Sequence, residues 1–598
     1  MKTQVAPAVV VLGQNSVAIA RQIIAVLPGA KLYGLVSRTT GVDISFENFG
    51  ETLRELFAAG TPIIGICAAG ILIRTLAPIL MDKGQEPPVL AVAEDGSAVV
   101  PLLGGLSGVN DLARQIAAAL AVQAAITTTG DLRFRTALLS PPPGYHLANP
   151  ENAKKFIADL LAGAKVKLEG TAPWLSNSQL PIDSQGDLTI RITEKLFSPP
   201  PNCLVYHPAT VVIAISGIAG RDKETVALLR RLLADSQLAV TSVAGVFAPL
   251  ALANDTAITA VANALEVPIR FFGASQLGGF ISQGYSPAQA TALAATGPFG
   301  QLIFPPPPNS ERFPISPSSP LAIAISPQII DPETTGQPKG RLAIIGTGPG
   351  GTQWMSPEVK EILKSATDLV GYKTYIDLIG SLADGKHCHE SDNRQEAARA
   401  TMALDLAAEG RYVVVVSSGD PGIYAMAAAV FEVLDRQTRL EWHTIDIQVA
   451  PGISAMQAAA AAIGAPLGHD FCAISLSDIL KPWEIIQQRI TAAAQADFVI
   501  AFYNPVSQER TWQLTAAKDI LLQYRKPNTP VVLGKNLGRP GQTVKVITLD
   551  QLTPEVADMR TVILVGSTQT RNIRCSNGQI WVYTPRCYSN QQSLSDLS

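Results

Sequence analysis

Short apolar runs closed by glycine, serine or asparagine recur along the chain and alternate with stretches of helical spacing. Near the start, VVVLG, LYGLVS, IIGIC, VLAVAE and AAITTT read as buried strands. DLARQIAAALA reads as the clearest helix between them, with Asn110 or Asp111 as its N-cap. The alternation returns in TVVIAISGI, ETVALLRRLLADS, LAVTSV, a helix ending near Leu265, and IRFFGA. It returns again after Gly340, where RLAIIG, YVVVVSSG, TIDIQVA, FCAISL, DFVIAFYN, TPVVLGKN and TVILVG predict strands. Strands alternating with helices predict an α/β, multidomain protein with largely parallel sheets.

Proline divides the chain. Clusters stand at Pro141–Pro143, Pro199–Pro201 and Pro305–Pro308. They set expected boundaries at 1–130 and 208–304 for two N-terminal α/β domains, with 131–207 as a connecting region. Residues 305–340, rich in Pro, Ser and Gly, read as a linker in which LAIAISPQII can form a short strand. Residues 341–598 form the C-terminal body.

Composition narrows the class. Apolar residues make up 47% of the 598 and charged residues 16%, which suits buried cores and not disorder. The longest apolar region, Ala58 to Leu80, contains Pro62, Arg74 and Pro78, so no membrane span is expected. The first residues read as strand, turn and helix and not as a signal peptide. The six cysteines form no CxxC pair, so neither a disulfide framework nor a zinc site is indicated and a reducing cytoplasm fits. A net charge of −3 gives no general pull toward nucleic acid. His387-Cys388-His389 lacks a fourth ligand and reads as an extended segment.

The chemistry sits in loops that follow strands. Gly346, Gly348 and Gly351 formally satisfy GxGxxG, with Asp368 at the distance of a ribose-binding acid, which is the case for a nicotinamide-dependent oxidoreductase. The helix signal, however, comes late. Ser356 is the expected N-cap and Pro357 the first helical residue, so the glycines do not open directly into a helix that holds pyrophosphate. Three further loops, SSGDPGIY (417–424), APGISAMQAA (450–459) and FYNP (502–505), also stand at carboxyl ends of strands, where open α/β sheets bind ligands.

GTGPGG, SSGDPGIY, APGISA and AFYNP, in this order, resemble the tetrapyrrole (corrin/porphyrin) methylase family. GAPLGHDFCAISLSDILKPWEII, GYKTYIDLI, AFYNPVSQERTWQL and GPGG in the first loop are similar to its precorrin-3 C17-methyltransferase branch. The resemblance covers about Gly340 to Arg571. It implies a two-lobed α/β fold, S-adenosylmethionine as cofactor, a precorrin or cobalt-precorrin substrate, and a homodimer formed through this domain. It implies cofactor contacts at Pro349, Ser418, Gly419, Asp420, Ile423, Ser454, Ala455 and Tyr503, and also at Ile547 and Thr548. Ring contraction, which the family couples to methylation, requires proton movements. His469, Asp470 and Lys481 are candidates for them, or for structural and carboxylate-binding roles. Lys373, Arg394, Arg510 and Lys535 are candidates for substrate carboxylates or for solvated surface charge.

In the N-terminal half, the segment from Gly65 to Leu120 and ALEVPIRFFGASQL (264–277) resemble the cobalt-precorrin-5A hydrolase family, which opens a lactone and releases a two-carbon aldehyde. The sequence departs from that family at Leu106, at SGIAGRDKE (216–224) and near Val243–Leu250, where His, Cys and Lys are expected respectively. Glu94 and Asp95 are candidate general bases and Arg74 and Lys83 candidate carboxylate anchors. The alternative for residues 1–300 is a non-catalytic corrinoid-binding scaffold. A hydrolase beside the transferase favours a cobalt-containing substrate.

Overall fold

The computed structural model describes residues 6–80, 86–105, 107–217, 222–303, 320–391, 395–507 and 510–587. The chain divides into two compact units, Met1–Gly336 and Gln337–Ser598.

The described residues of the first unit form three sheets. The first has the order Ile44–Phe46, Lys31–Leu35, Ala8–Val11, Ile63–Ile66, Val89–Val92, Val99–Leu103, and only the last pairing is antiparallel. Ala8–Val11, Ile63–Ile66 and Val89–Val92 are buried along their whole length, as central parallel strands covered on both faces require. AAITTT, expected as a strand, makes only an isolated bridge between Ala124 and Val99. The stretch is cut short because its last residue, Thr129, already opens the helix Thr129–Phe134. The helix after it runs Val109–Ala119 and starts behind Gly108 at φ 84°, with no side-chain cap. Asn110 therefore lies inside the helix and not at its cap. Its amide donates to the buried carboxylate of Asp131.

Residues 131–207, expected only to connect, carry a four-stranded sheet in the order Tyr145–Leu147, Cys203–Pro208, Leu188–Ile192, Val166–Glu169. Phe156, Leu160, Leu175, Ile190 and Tyr206 form a core of its own. The third sheet runs Ile269–Phe272, Val243–Pro249, Val211–Ile215, Leu321–Ile325, Gln301–Ile303. LAIAI, from the stretch expected as linker, is an interior strand here, next to the central one. It pairs antiparallel with Val211–Ile215 on one side and Gln301–Ile303 on the other. Its five apolar residues bury well only inside a sheet.

The second unit has two lobes. The first lobe is an all-parallel sheet in the order His387–Ser391, Asp368–Tyr372, Tyr412–Ser417, Arg341–Gly346, Asp446–Ala450. Leu342, Ile344, Val413 and Val415 pack on the helices Glu396–Ala408 and Met426–Arg436, while Ile345, Val414 and Val416 pack on Pro357–Ser365. Ser356 accepts from the Val359 amide, so this helix begins as its Ser-Pro pair predicts. The second lobe is a mixed sheet in the order Phe471–Ser475, Val499–Tyr503, Thr561–Val565, Pro530–Lys535, Thr543–Thr548. Helices Trp483–Gln495 and Gln513–Leu521 cover one face, and Ala455–Ile463 covers the other. That last helix starts directly after a first-lobe loop, so the chain passes between lobes at APGIS.

Candidate functional site

All three glycine loops of the first lobe leave carboxyl ends of parallel strands, and they close on one another. Gly348 and Gly419 exchange backbone hydrogen bonds at 2.8 and 3.1 Å. A Cβ at Gly346 would lie 2.5 Å from the Gly419 carbonyl oxygen and 2.7 Å from the Gly452 nitrogen. Only glycine allows that convergence. Asp420 fastens it: one carboxylate oxygen accepts from the Gly422 amide at 2.8 Å and the other from the Gly452 amide at 3.2 Å. Ser454 is almost fully buried and forms a capping box with Gln457, which starts the helix Ala455–Ile463.

Loops of the second lobe meet this cluster from the other side. The strands ending at Ser475, Tyr503 and Lys535 point the same way, since Val499–Tyr503 and Pro530–Lys535 are each antiparallel to the strand between them. The Tyr503 hydroxyl accepts from the Met456 amide at 3.2 Å, and its ring lies 5.3 Å from that of Tyr424. Tyr424 in turn donates to the Ala473 carbonyl at 2.8 Å. Burial raises the pKa of both phenols, so each is neutral at pH 7. The glycine loop also meets the loop after Lys535, because a Cβ at Gly350 would overlap the Gly538 carbonyl oxygen. Arg539 donates from Nε to the Pro349 carbonyl at 2.9 Å and from Nη2 to the Ser418 hydroxyl at 2.8 Å.

Strain marks the same loops. Tyr424, Asn504 and Asn536 hold φ near +50°, a region that residues other than glycine seldom occupy. Asparagine tolerates it, and Asn504 is braced by Ser475 and by Arg510, which donates to its carbonyl at 3.0 Å.

Pro349, Ser418, Gly419, Asp420, Ile423, Ser454, Ala455 and Tyr503 thus lie on the loops and helix start of one cluster. Ile547 and Thr548 do not. They pair with Val531 and Pro530 at the opposite end of the hairpin from Lys535. His469 and Asp470 are also misplaced for chemistry at these loops. They precede the strand Phe471–Ser475 at its amino end, about 16 Å from its other end at 3.3 Å per residue. There the Asp470 amide donates to the His469 ring. Lys481 lies at the correct end, with Nζ 5.9 Å from the Tyr424 ring centre.

Of the other cations, Lys373 is paired with Glu390 and Asp377, and Lys535 with Asp558. Arg510 is buried beneath the FYNP loop and is not solvated surface charge. Arg394 lies outside the described residues, as do Lys83, Leu106 and residues 218–221 of SGIAGRDKE. Asp368, the candidate ribose acid, sits at the amino end of its strand. It accepts from His389, Arg411 and Thr367 there, which removes it from the glycine loop. In the first unit, Asp95 accepts from the Ser97 amide and hydroxyl in a tight turn, and those bonds lower its pKa. Glu94 and Arg74 are exposed beside the same sheet. The cation that sequence reasoning passed over is Arg539. Its only signal was a Gly-Arg-Pro-Gly turn after a strand.

Residues 341–553 match the family model of Tetrapyrrole (Corrin/Porphyrin) Methylases, and residues 51–131 match that of Cobalamin synthesis G N-terminal. The chain belongs to the tetrapyrrole methylases and joins such a domain to a cobalamin synthesis G-like N-terminal part. It is 47% identical over 253 residues to the cobalamin biosynthesis protein CobIJ of Mycobacterium tuberculosis, covering 42% of this chain and 48% of that protein. The chain thus spans about half the length of that relative. It is 46% identical over 250 residues to a precorrin-3B C(17)-methyltransferase of Sinorhizobium sp, covering 42% of this chain and 98% of that protein. A solved structure of the methyltransferase CobJ shares 50% identity, with 41% of this chain and all of that chain covered, at a TM-score of 0.39. No helix among the described residues is long and apolar enough to cross a membrane.

Proposed function

We propose that residues 341–598 methylate C17 of precorrin-3B or cobalt-precorrin-3, with contraction of the ring, using S-adenosylmethionine. The observation that carries this is the convergence of the GTGPGG, SSGDPG and APGIS loops through Gly346, Gly419 and Gly452. It stands in a chain that covers nearly the whole of a C17-methyltransferase relative. Such a cradle, too narrow for a Cβ, offers backbone groups to a small polar ligand and fits S-adenosylmethionine. Pro349, Ser418, Gly419, Asp420, Ile423, Ser454, Ala455 and Tyr503 are the residues proposed to hold it. When bound, that cofactor supplies an electrophilic methyl group.

The chain's own contribution is then positioning. Asp420 fixes two loops through backbone amides, and Arg539 fixes two through a carbonyl and a hydroxyl. Tyr424 and Tyr503 line one side with neutral rings in mutual contact. Holding two reactants in line in this way is worth about 7–11 kcal/mol of barrier. Lys481 is the one of the proposed proton-transfer candidates of this unit that stands at the loop end.

For the first unit, lactone-opening hydrolysis of cobalt-precorrin-5A is the proposed activity, resting on the match over 51–131. A corrinoid-binding scaffold is the second reading, on one observation: the Asp95 carboxylate already accepts from the amide and hydroxyl of Ser97, which engages it in its own turn. A lactone-opening assay of the full chain separates the two. The proposed setting is the cytoplasm, and the proposed assembly is the homodimer that the family resemblance implies for residues 341–598; light scattering checks the second.

Calorimetric titration of the full chain with S-adenosylmethionine, and separately with NAD, tests the main reading. Binding of the first alone is expected. Binding of NAD alone overturns it.

A further inference from the structure

Resting on the tetrapyrrole reading, the site must seat a flat apolar ring edged with carboxylates. That demands apolar surface and fixed cations that no protein carboxylate already neutralises. Lys373 and Lys535 fail this condition because each is ion-paired, and Arg510 fails it because it is buried under its own loop.

Arg539 and Lys481 meet it. Neither forms an ion pair with any carboxylate among the described residues. Arg539 uses Nε and Nη2 on Pro349 and Ser418, which fixes the guanidinium plane and leaves Nη1 without a hydrogen-bond partner among the described residues. A guanidinium so held loses little freedom when it takes a carboxylate. Lys481 stands over Tyr424, and burial together with the nearby Arg489 lowers its pKa. The opposite charge of an incoming carboxylate offsets both. Arg489 also has no ion-pair partner among the described residues.

The two cations flank one loop. Arg539 grips it at Ser418 and Lys481 faces its other end at Tyr424. Tyr424 is held in left-handed backbone, which costs about 1–3 kcal/mol and persists only when its surroundings enforce it. Its hydroxyl bond to Ala473 and its contact with Tyr503 do so. Directly before Lys481, Ile479 and Leu480 are 73% and 89% exposed, two adjacent apolar side chains turned to solvent at the mouth of the site.

We propose that Arg539 and Lys481 are carboxylate anchors for the tetrapyrrole at the two ends of the Ser418–Tyr424 loop, with Ile479 and Leu480 lying against the macrocycle. Lys481 binds substrate alone. Arg539 binds substrate while positioning the cofactor loops.

The test uses the full chain, with precorrin-3B varied anaerobically at saturating S-adenosylmethionine, for Lys481→Met, Lys481→Arg, Arg539→Gln and Arg539→Lys. Circular dichroism verifies that each is folded. Lys481→Met and Arg539→Gln are each expected to raise the KM for the tetrapyrrole by about tenfold or more, as loss of one partner of a charge pair does. Lys481→Arg recovers most of the loss, and Lys481→Met leaves the KM for S-adenosylmethionine unchanged. Uroporphyrin III, an octacarboxylate, serves as a non-reacting probe. Its binding, read by tryptophan quenching, should weaken in Lys481→Met and lose part of its salt dependence. Unchanged tetrapyrrole KM values in Lys481→Met and Arg539→Gln overturn the proposal. A rise confined to the cofactor KM in Arg539→Gln and Arg539→Lys removes Arg539 from it. A wild-type protein that binds S-adenosylmethionine and methylates no tetrapyrrole overturns the functional reading and the anchors with it. A working methyltransferase with indifferent variants overturns the anchors alone.

Discussion

The guanidinium of Arg539 donates to the carbonyl oxygen of Pro349 at 2.9 Å, across 190 residues of chain. One residue belongs to a turn of the second lobe and the other to the glycine loop of the first. The shape of the first loop therefore depends on the second lobe being folded beside it. The near contact of Gly350 with Gly538 belongs to the same junction.

Gly350→Ala tests that junction. The added methyl group overlaps the Gly538 carbonyl, a backbone atom that cannot swing aside as a side chain can. A cost of about 1–3 kcal/mol in stability is expected, as for other overpacked sites. A weaker affinity for S-adenosylmethionine should accompany it. Urea unfolding and calorimetry on one preparation check both.

Asp420→Asn places an amide nitrogen against a backbone N–H, whichever way its side chain turns, because both carboxylate oxygens now accept from amides. Hydrogen bonds to a charged group contribute about 1.5–3 kcal/mol. The affinity for S-adenosylmethionine should therefore fall by roughly tenfold or more, with the far-ultraviolet spectrum unchanged. Unchanged affinity in a folded variant would remove Asp420 from the cofactor site.

His207 is buried in the first unit, and burial lowers its pKa from 6.5 to about 4. The folded protein thus takes up its proton later than the unfolded chain as pH falls. Stability is full above pH 6.5 and declines between 6.5 and 4, because there the unfolded state binds more protons. The loss reaches about 3 kcal/mol at about 1.4 kcal/mol per pH unit. In His207→Gln the stability difference between pH 7 and pH 4 should shrink by that amount, measured by denaturant unfolding at each pH.

Burial alone would raise the pKa of Asp368, but hydrogen bonds from His389, Thr367 and Arg411 outweigh it and hold the carboxyl below 3.8. A depressed carboxylate stabilises the fold above its unfolded pKa and loses that contribution as pH falls through the lower folded value. Asp368→Asn should cost about 2–3 kcal/mol at pH 7, as a broken charged network does. The gap to wild type should close below about pH 4. Because Asp368 stands at the amino ends of the strands, the affinity of the folded variant for S-adenosylmethionine should be unchanged.

Much of the second unit was legible in the sequence. RLAIIG, YVVVVS, FCAIS, VIAFY, PVVLGK and TVILV are strands because runs of branched apolar residues bury only between two covered faces. Ser356 and Pro357 start their helix because side-chain capping is a local property. Glycine at 346, 348, 419 and 452 announced tight loops. The sheet over 145–208 was hidden by short strands and clustered prolines. The place of Leu321–Ile325 was hidden because its partner strand lies about a hundred residues earlier.

The sequence by itself determined which segments become strands, which turns need glycine and which family the loops resemble, since each of these is written in neighbouring residues. Only the tertiary structure decided which strand ends converge on one site. That gathered Lys481 with the glycine loops and left His469, Asp470 and Asp368 away from them, because strand order and relative direction in a sheet are not carried by periodicity. It alone also brought Arg539 to Pro349 and Ser418, because a contact across 190 residues is fixed by how two lobes pack and by nothing local to either.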